Sequence, residues 1–147
     1  MEYTEWPSGN PNINTDTEKM EKGIKGRSEQ MVTPELTAAH VGSGLAPVFA
    51  TPMMISMMEK TCSDSVAPHL NEGESTVGTL IHITHDAATP VGMRVWCESE
   101  LVEVDRRRLV FDVKAFDEAG LIGQGRHERF VIDNAKFMAK VEAKMAK

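Results

Sequence analysis

The chain has 147 residues, enough for one substantial core, and a formal net charge of −6 at pH 7, which argues against nucleic acid as a partner. Its two cysteines, Cys62 and Cys97, each fall inside a predicted regular element and do not suggest a disulfide framework, so a reducing, cytoplasmic setting is expected. No signal peptide is visible, and no apolar run approaches the roughly 20 residues of a membrane span.

Residues 1–22 are polar, with Pro7, Gly9 and Pro11, and read as a flexible arm ahead of a single domain over 23–147. One short strand is predicted within 24–36. Residues 40–47, with Gly42 and Gly44, read as a flexible connection. A helix follows over 52–66 and stops before Pro68. The Thr51 hydroxyl suits an N-cap, and Pro52 suits the first helical position. Met53, Met54, Ile55, Met57 and Met58 cover most sides, so the helix should be wrapped by protein. Glu59 lies inside that run, and a carboxylate is seldom buried without a partner or a task.

After a loop at Asn71-Glu72-Gly73-Glu74 the period changes to two. Strands are predicted at 76–87, 92–104, 107–117 and 121–132, with breaks at Thr89-Pro90, Asp105-Arg106 and Glu118-Ala119-Gly120. Connections this short predict antiparallel neighbours, and so a four-strand meander. Asp133 or Asn134 then caps a last helix, in which Phe137, Val141 and Met145 recur every fourth residue. The fold class is α+β, an antiparallel sheet curled around a long central helix: the hotdog arrangement.

Four positions could carry chemistry. Glu59 is either a solvated helix position paired with a cation or a partly buried base or nucleophile. Thr51 is explained by capping alone, yet a helix N-terminus also suits a thioester oxygen or an anion. His85, with the parity of Val77, Ile81 and Ile83, is either a core histidine or a proton carrier. His82 points the other way, so the strand holds no two-histidine metal site, and no metal is expected. Gly78 marks a bulge or a close backbone approach to a ligand. In Arg126-His127-Glu128-Arg129 the simple reading is a charged outer face, and Arg106-Arg107-Arg108 reads as a solvated turn. Thr51 and Glu59, eight residues apart, stand about 12 Å apart along one helix. They cannot both touch one carbonyl, so a shared substrate requires a second subunit.

Val48-Phe49-Ala50-Thr51-Pro52-Met53-Met54, Met58-Glu59, Glu72 to Thr79, Thr84 to Pro90 and Gly125 to Arg129 together resemble the fluoroacetyl-CoA thioesterase family, in order and spacing, over roughly 45–140. The resemblance implies a hotdog homodimer, with higher assembly open, that hydrolyses acyl-CoA thioesters without a cofactor beyond the coenzyme A of the substrate. It implies catalytic roles for Thr51, Glu59 and His85, and substrate binding by the Gly78 backbone and by Arg129. One departure stands out: Thr37 to Pro47 is shorter than the family's lid and Gly-rich, with no Phe before Phe49, so a fluorinated acyl group is not assigned. The expected function is thioesterase action on a small acyl-CoA; the alternative is a hotdog protein that binds an acyl-CoA or small ligand without turning it over.

Overall fold

The computed structural model describes residues 19–146. The expected arm over 1–22 lies outside these as far as residue 18. Met20 already packs against the core, and the Lys19 carbonyl accepts from His69 Nδ1 at 3.1 Å. Eight elements follow in chain order: β1 (Lys25–Met31), α1 (Ala38–Val41), α2 (Thr51–Val66), β2 (Glu74–His85), β3 (Arg94–Asp105), β4 (Arg108–Asp117), β5 (Gly120–Asp133) and α3 (Asn134–Glu142). The strands form one antiparallel sheet in the order β1-β3-β4-β5-β2, with α2 laid across one face. This is the expected hotdog architecture.

The four-strand meander is corrected. Only β3, β4 and β5 follow one another through tight turns; β2 leaves its sequence neighbour β3 and pairs with β5 on the far edge. Residues 86–93 reach up to about 26 Å when extended, enough to cross the roughly 14 Å of three strand spacings. Local spacing alone does not distinguish that crossing from a loose hairpin. The crossing segment is pinned underneath: Phe49 N–H donates to the Thr89 carbonyl at 2.9 Å, and the buried Thr89 hydroxyl donates to Asp117 at 2.7 Å. The other Asp117 oxygen accepts from the Ala119 and Gly120 amides, closing the β4–β5 turn.

Helix α2 is half covered within one chain. Met54, Met57, Met58, Thr61, Cys62 and Val66 recur every three to four residues and are buried. They meet Val95, Cys97, Leu101, Leu109, Phe111, Val113, Ala115, Ile122 and Val131 of the sheet. Ser56, Lys60 and Asp64 are exposed on the other side, where Lys60 and Asp64 pair at 2.7 Å. The helix sits close to β1: an added methyl at Gly26 would lie 2.7 Å from Ser65 Cβ and 2.9 Å from the Thr61 carbonyl. Ser28 and Thr61 share a hydroxyl hydrogen bond of 2.6 Å across the same contact.

Two local expectations also change. Residues 40–47 are not an unstructured connection, because a helical turn fills Ala38–Val41, Gly42 closes it with φ 84°, and Ala39 N–H reaches the Ala46 carbonyl. Arg108 is not part of a solvated turn; it grips Glu128 with two hydrogen bonds of 3.0 and 3.1 Å and Glu103 with one of 3.1 Å. The last helix, α3, starts as expected, with Asp133 accepting from the Lys136 amide; its Phe137 and Val141, and Met145 in the 3-10 turn that follows, are exposed.

Candidate active site

The first cluster forms at the start of α2. Ala50, extended at φ −79° and ψ 141°, is the N-cap, and Thr51 is already the first helical residue. The expected capping role of Thr51 is thereby overturned. The amides of Met53 and Met54 are taken by the Ala50 carbonyl, which leaves the Thr51 hydroxyl free for another partner. It sits 2.7 Å from His85 Nδ1. The far ring atom, His85 Nε2, is buried and has no hydrogen-bond partner among the described residues. Burial pushes the imidazole below its ordinary value, opposed in part by the Asp86 charge and by a backbone hydrogen bond at Ala87. His85 is therefore neutral at pH 7 and able to take a proton.

His85 faces inward through a bulge. Gly78 pairs with Arg129 and Leu80 with Glu128, so Thr79 is an extra residue in β2. The insertion flips the alternation. Thr76 and Gly78 face the helix side before it; Ile81, Ile83 and His85 do so after it. Val77, expected on the face of His85, instead pairs with Phe130 and belongs to the opposite side.

The second cluster forms around Gly78, two helical turns along α2. A methyl added there would lie 3.0 Å from Glu59 Oε2, 3.2 Å from His127 Cε1 and 3.4 Å from Arg129 Nη1. The absent side chain is what lets these groups meet. Ser56, Glu59, Lys60, Ser63, Thr76, Val77, Gly78 and Arg129 line an open cleft of about 440 Å³ there. Arg129 is buried, with Nε donating to Thr76 Oγ1 at 2.7 Å and Nη2 to the Thr76 carbonyl at 2.9 Å. Burial lowers its pKa, opposed by the charge of Glu59. No carboxylate forms an ion pair with Arg129 among the described residues.

Sequence reasoning missed His127. Flanked by Arg126 and Glu128, it reads as part of a charged surface, yet it is 1% exposed and directed inward with Arg129. The available signal was its alternation with Arg129, which places both on one face. Thr76, which fixes the guanidinium, was missed for want of any signal beyond that same alternation. The cysteines are buried and held as thiols: burial pushes Cys62 strongly up and Cys97 up to about 11. Among the described residues no three His, Cys, Asp or Glu side chains gather as a metal site, and no helix is long and apolar enough to cross a membrane.

The chain therefore presents two clusters as candidate half-sites, Thr51–His85 and Glu59–Gly78–Arg129, about 12 Å apart along α2. The chain is similar to proteins already known. Residues 32–135 match the family model described as fluoroacetyl-CoA-specific thioesterase. The fluoroacetyl-CoA thioesterase of Streptantibioticus cattleyicolor is 48% identical over 97 residues, covering 66% of this chain and 70% of that protein. A solved structure of the fluoroacetyl-CoA thioesterase superposes with a TM-score of 0.82 at 40% identity, over 86% of this chain and 98% of the other. A thioesterase superfamily member from Thermus thermophilus gives a TM-score of 0.82 at 31% identity, over 88% and 96%.

Proposed function

The chain belongs to the fluoroacetyl-CoA-specific thioesterase family, and from that premise we propose how its own residues cleave their substrate. It is an acyl-CoA thioester hydrolase. The proposal concerns the acyl group, which we take to be small, and the division of labour in the site. Glu59 either deprotonates a water that attacks the thioester carbonyl, or attacks it directly to form an acyl anhydride that a water then hydrolyses, releasing the acid and restoring the carboxylate. The carbon–oxygen bond forms and the carbon–sulfur bond breaks. His85, neutral at pH 7, shuttles the proton that the departing thiolate needs. Thr51 holds the His85 ring and orients the carboxylate. The Gly78 backbone and Arg129 hold the substrate, and stabilising donors of this kind typically supply about 3–4 kcal/mol. No cofactor is required beyond the coenzyme A that the substrate carries.

The reading requires two copies of the chain. One carbonyl cannot touch both Thr51 and Glu59 across about 12 Å of helix. Thr51 and His85 of one copy then work with Glu59, Gly78 and Arg129 of a second, in a homodimer. The free edge strand β2 supports this, since Leu80 and Ile81 are 42% and 37% exposed on it. The two unpaired cysteines are in keeping with action in the cytoplasm.

The single observation that carries the mechanism is the 2.7 Å contact of Thr51 with His85, with the opposite ring nitrogen buried and unpartnered. A buried polar atom left in this state is costly unless a reacting group completes it. Release of free thiol from a panel of acyl-CoAs tests the function. Turnover is expected to be greatest with short acyl groups. Tight binding with no thiol release from any member would make the protein a carrier and overturn the reading.

A further inference from the structure

The buried guanidinium of Arg129 is held by neutral acceptors, and one of them is a histidine. His127 donates from Nδ1 to the Leu80 carbonyl at 2.8 Å, because a carbonyl can only accept. That fixes the tautomer of the neutral ring. Nε2 then carries a lone pair and accepts from Arg129 Nη1 at 3.2 Å. The ring also stacks on Phe111, with centroids 6.2 Å apart and planes inclined by 27°. One relay thus runs from β2 through His127 to Arg129 and back to β2 at Thr76. A guanidinium has five N–H donors. Nε, one donor of Nη1 and one of Nη2 are engaged in this frame, and the remaining two are left for the cleft that Arg129 lines.

We infer that His127 is a positioning residue: a neutral ring that fixes Arg129 without cancelling its charge, leaving two donors aimed at the substrate. A carboxylate in the same place would hold the guanidinium equally well but would neutralise it. Burial, the dominant effect, and the adjacent Arg129 both keep His127 uncharged; the Leu80 hydrogen bond opposes them, as do the charges of Glu59 and of Glu128, its chain neighbour on the other face of the strand. Protonation would set an N–H against the Arg129 N–H and break the relay. The inference rests on the thioesterase reading for its effect on turnover, though not for the hydrogen-bond pattern itself.

Two substitutions separate positioning from packing. Gln reaches the place of Nε2 and can offer Arg129 an amide oxygen, whereas Asn reaches only the place of Nδ1 and keeps the Leu80 tether. In His127→Gln, kcat/KM should stay within about threefold of wild type. In His127→Asn it should fall by about tenfold or more, with the loss mainly in KM. Equal losses in the two variants, or a larger loss in Gln, would overturn the inference. A second measurement is independent of activity and of variant folding: nitrogen NMR of the wild-type His127 ring at pH 7.5. A neutral ring protonated at Nδ1 is required; a charged ring or the other tautomer defeats the inference. If wild type releases no thiol from any acyl-CoA, the catalytic reading fails, and the tautomer alone decides for or against the relay.

Discussion

Replacing Gly78 with alanine inserts one carbon at the point where the second half-site converges. Gly78 is not among the residues with positive φ, so alanine meets no backbone strain in the strand. The new carbon lies 3.0 Å from Glu59 Oε2, 3.2 Å from His127 Cε1 and 3.4 Å from Arg129 Nη1. Comfortable contacts begin near 3.5 Å, so the carboxylate must retreat by roughly half an ångström. It is the far end of a flexible side chain, so the stability cost should fall at or below the low end of overpacking, about 1 kcal/mol. For a chain of this length that lowers Tm by about 4 °C. Catalysis is far less tolerant, since a displacement of about 1 Å can cost on the order of a hundredfold. We expect kcat/KM to fall by about 10- to 100-fold while Tm stays within about 4 °C of wild type. Thiol release and a thermal melt on the same preparation measure both. Activity within about threefold of wild type would show that nothing reacts at this convergence, and the assignment of Glu59 and Gly78 would fall.

Glu59→Gln and His85→Ala should each lower kcat by about a hundredfold or more in thiol-release assays, with KM changing less; weaker binding at unchanged kcat would recast either residue as a binding group. Inactive Thr51→Ala and Glu59→Gln chains, unfolded and refolded together, should regain activity through heterodimers with one intact site. Proven heterodimers without recovery would place both roles in one chain or make one dispensable. The ratio of kcat/KM for fluoroacetyl-CoA over acetyl-CoA should stay below about 10³, because the segment from Thr37 to Pro47 has no Phe, Tyr or Trp and its Leu45, 96% exposed, packs against nothing. A ratio near 10⁵ would show that selectivity does not depend on that loop. Stability should decline between pH 7.5 and 5.5. His85 and His127 titrate below their ordinary value of 6.5 in the folded chain, so the unfolded chain binds more protons as pH falls through that value. Urea midpoints that stay level or rise across this window would contradict their buried, neutral state.

The elements were legible because their signals are local. The Met-rich run from Met53 to Met58 announced α2, and the alternation of Leu109, Phe111, Val113 and Ala115 announced β4. The partner of β2 was not legible, because a segment of eight residues can either turn back or cross. Thr51 was legible both as a cap and as a candidate for chemistry; the chain places the cap one residue earlier, and the hydroxyl goes to His85. Glu59, Gly78 and Arg129 were marked in the sequence by a carboxylate in an apolar run, a glycine in a strand and a family resemblance. His127 carried no such mark, because alternation alone cannot say which face of an edge-pairing strand is dry.

The count of residues in β2 between the bulge at Thr79 and His85 sets the phase between the two clusters. β2 carries Gly78 on one side of the bulge and His85 on the other, and α2 supplies the matching Glu59 and Thr51. Loss of Thr79 itself would leave a regular ladder with the same pairs, whereas removing one residue from 80–84 would rotate His85 to the outside while leaving Gly78 in place. Removing two would restore the facing but slide the histidine by about 7 Å relative to the helix. Neither shift can be repaired by side-chain adjustment. The strand therefore tolerates changes of residue far better than changes of length, and variation in length between related chains should collect in the segment before α2 and in the crossing at 86–93, where no half-site depends on the count.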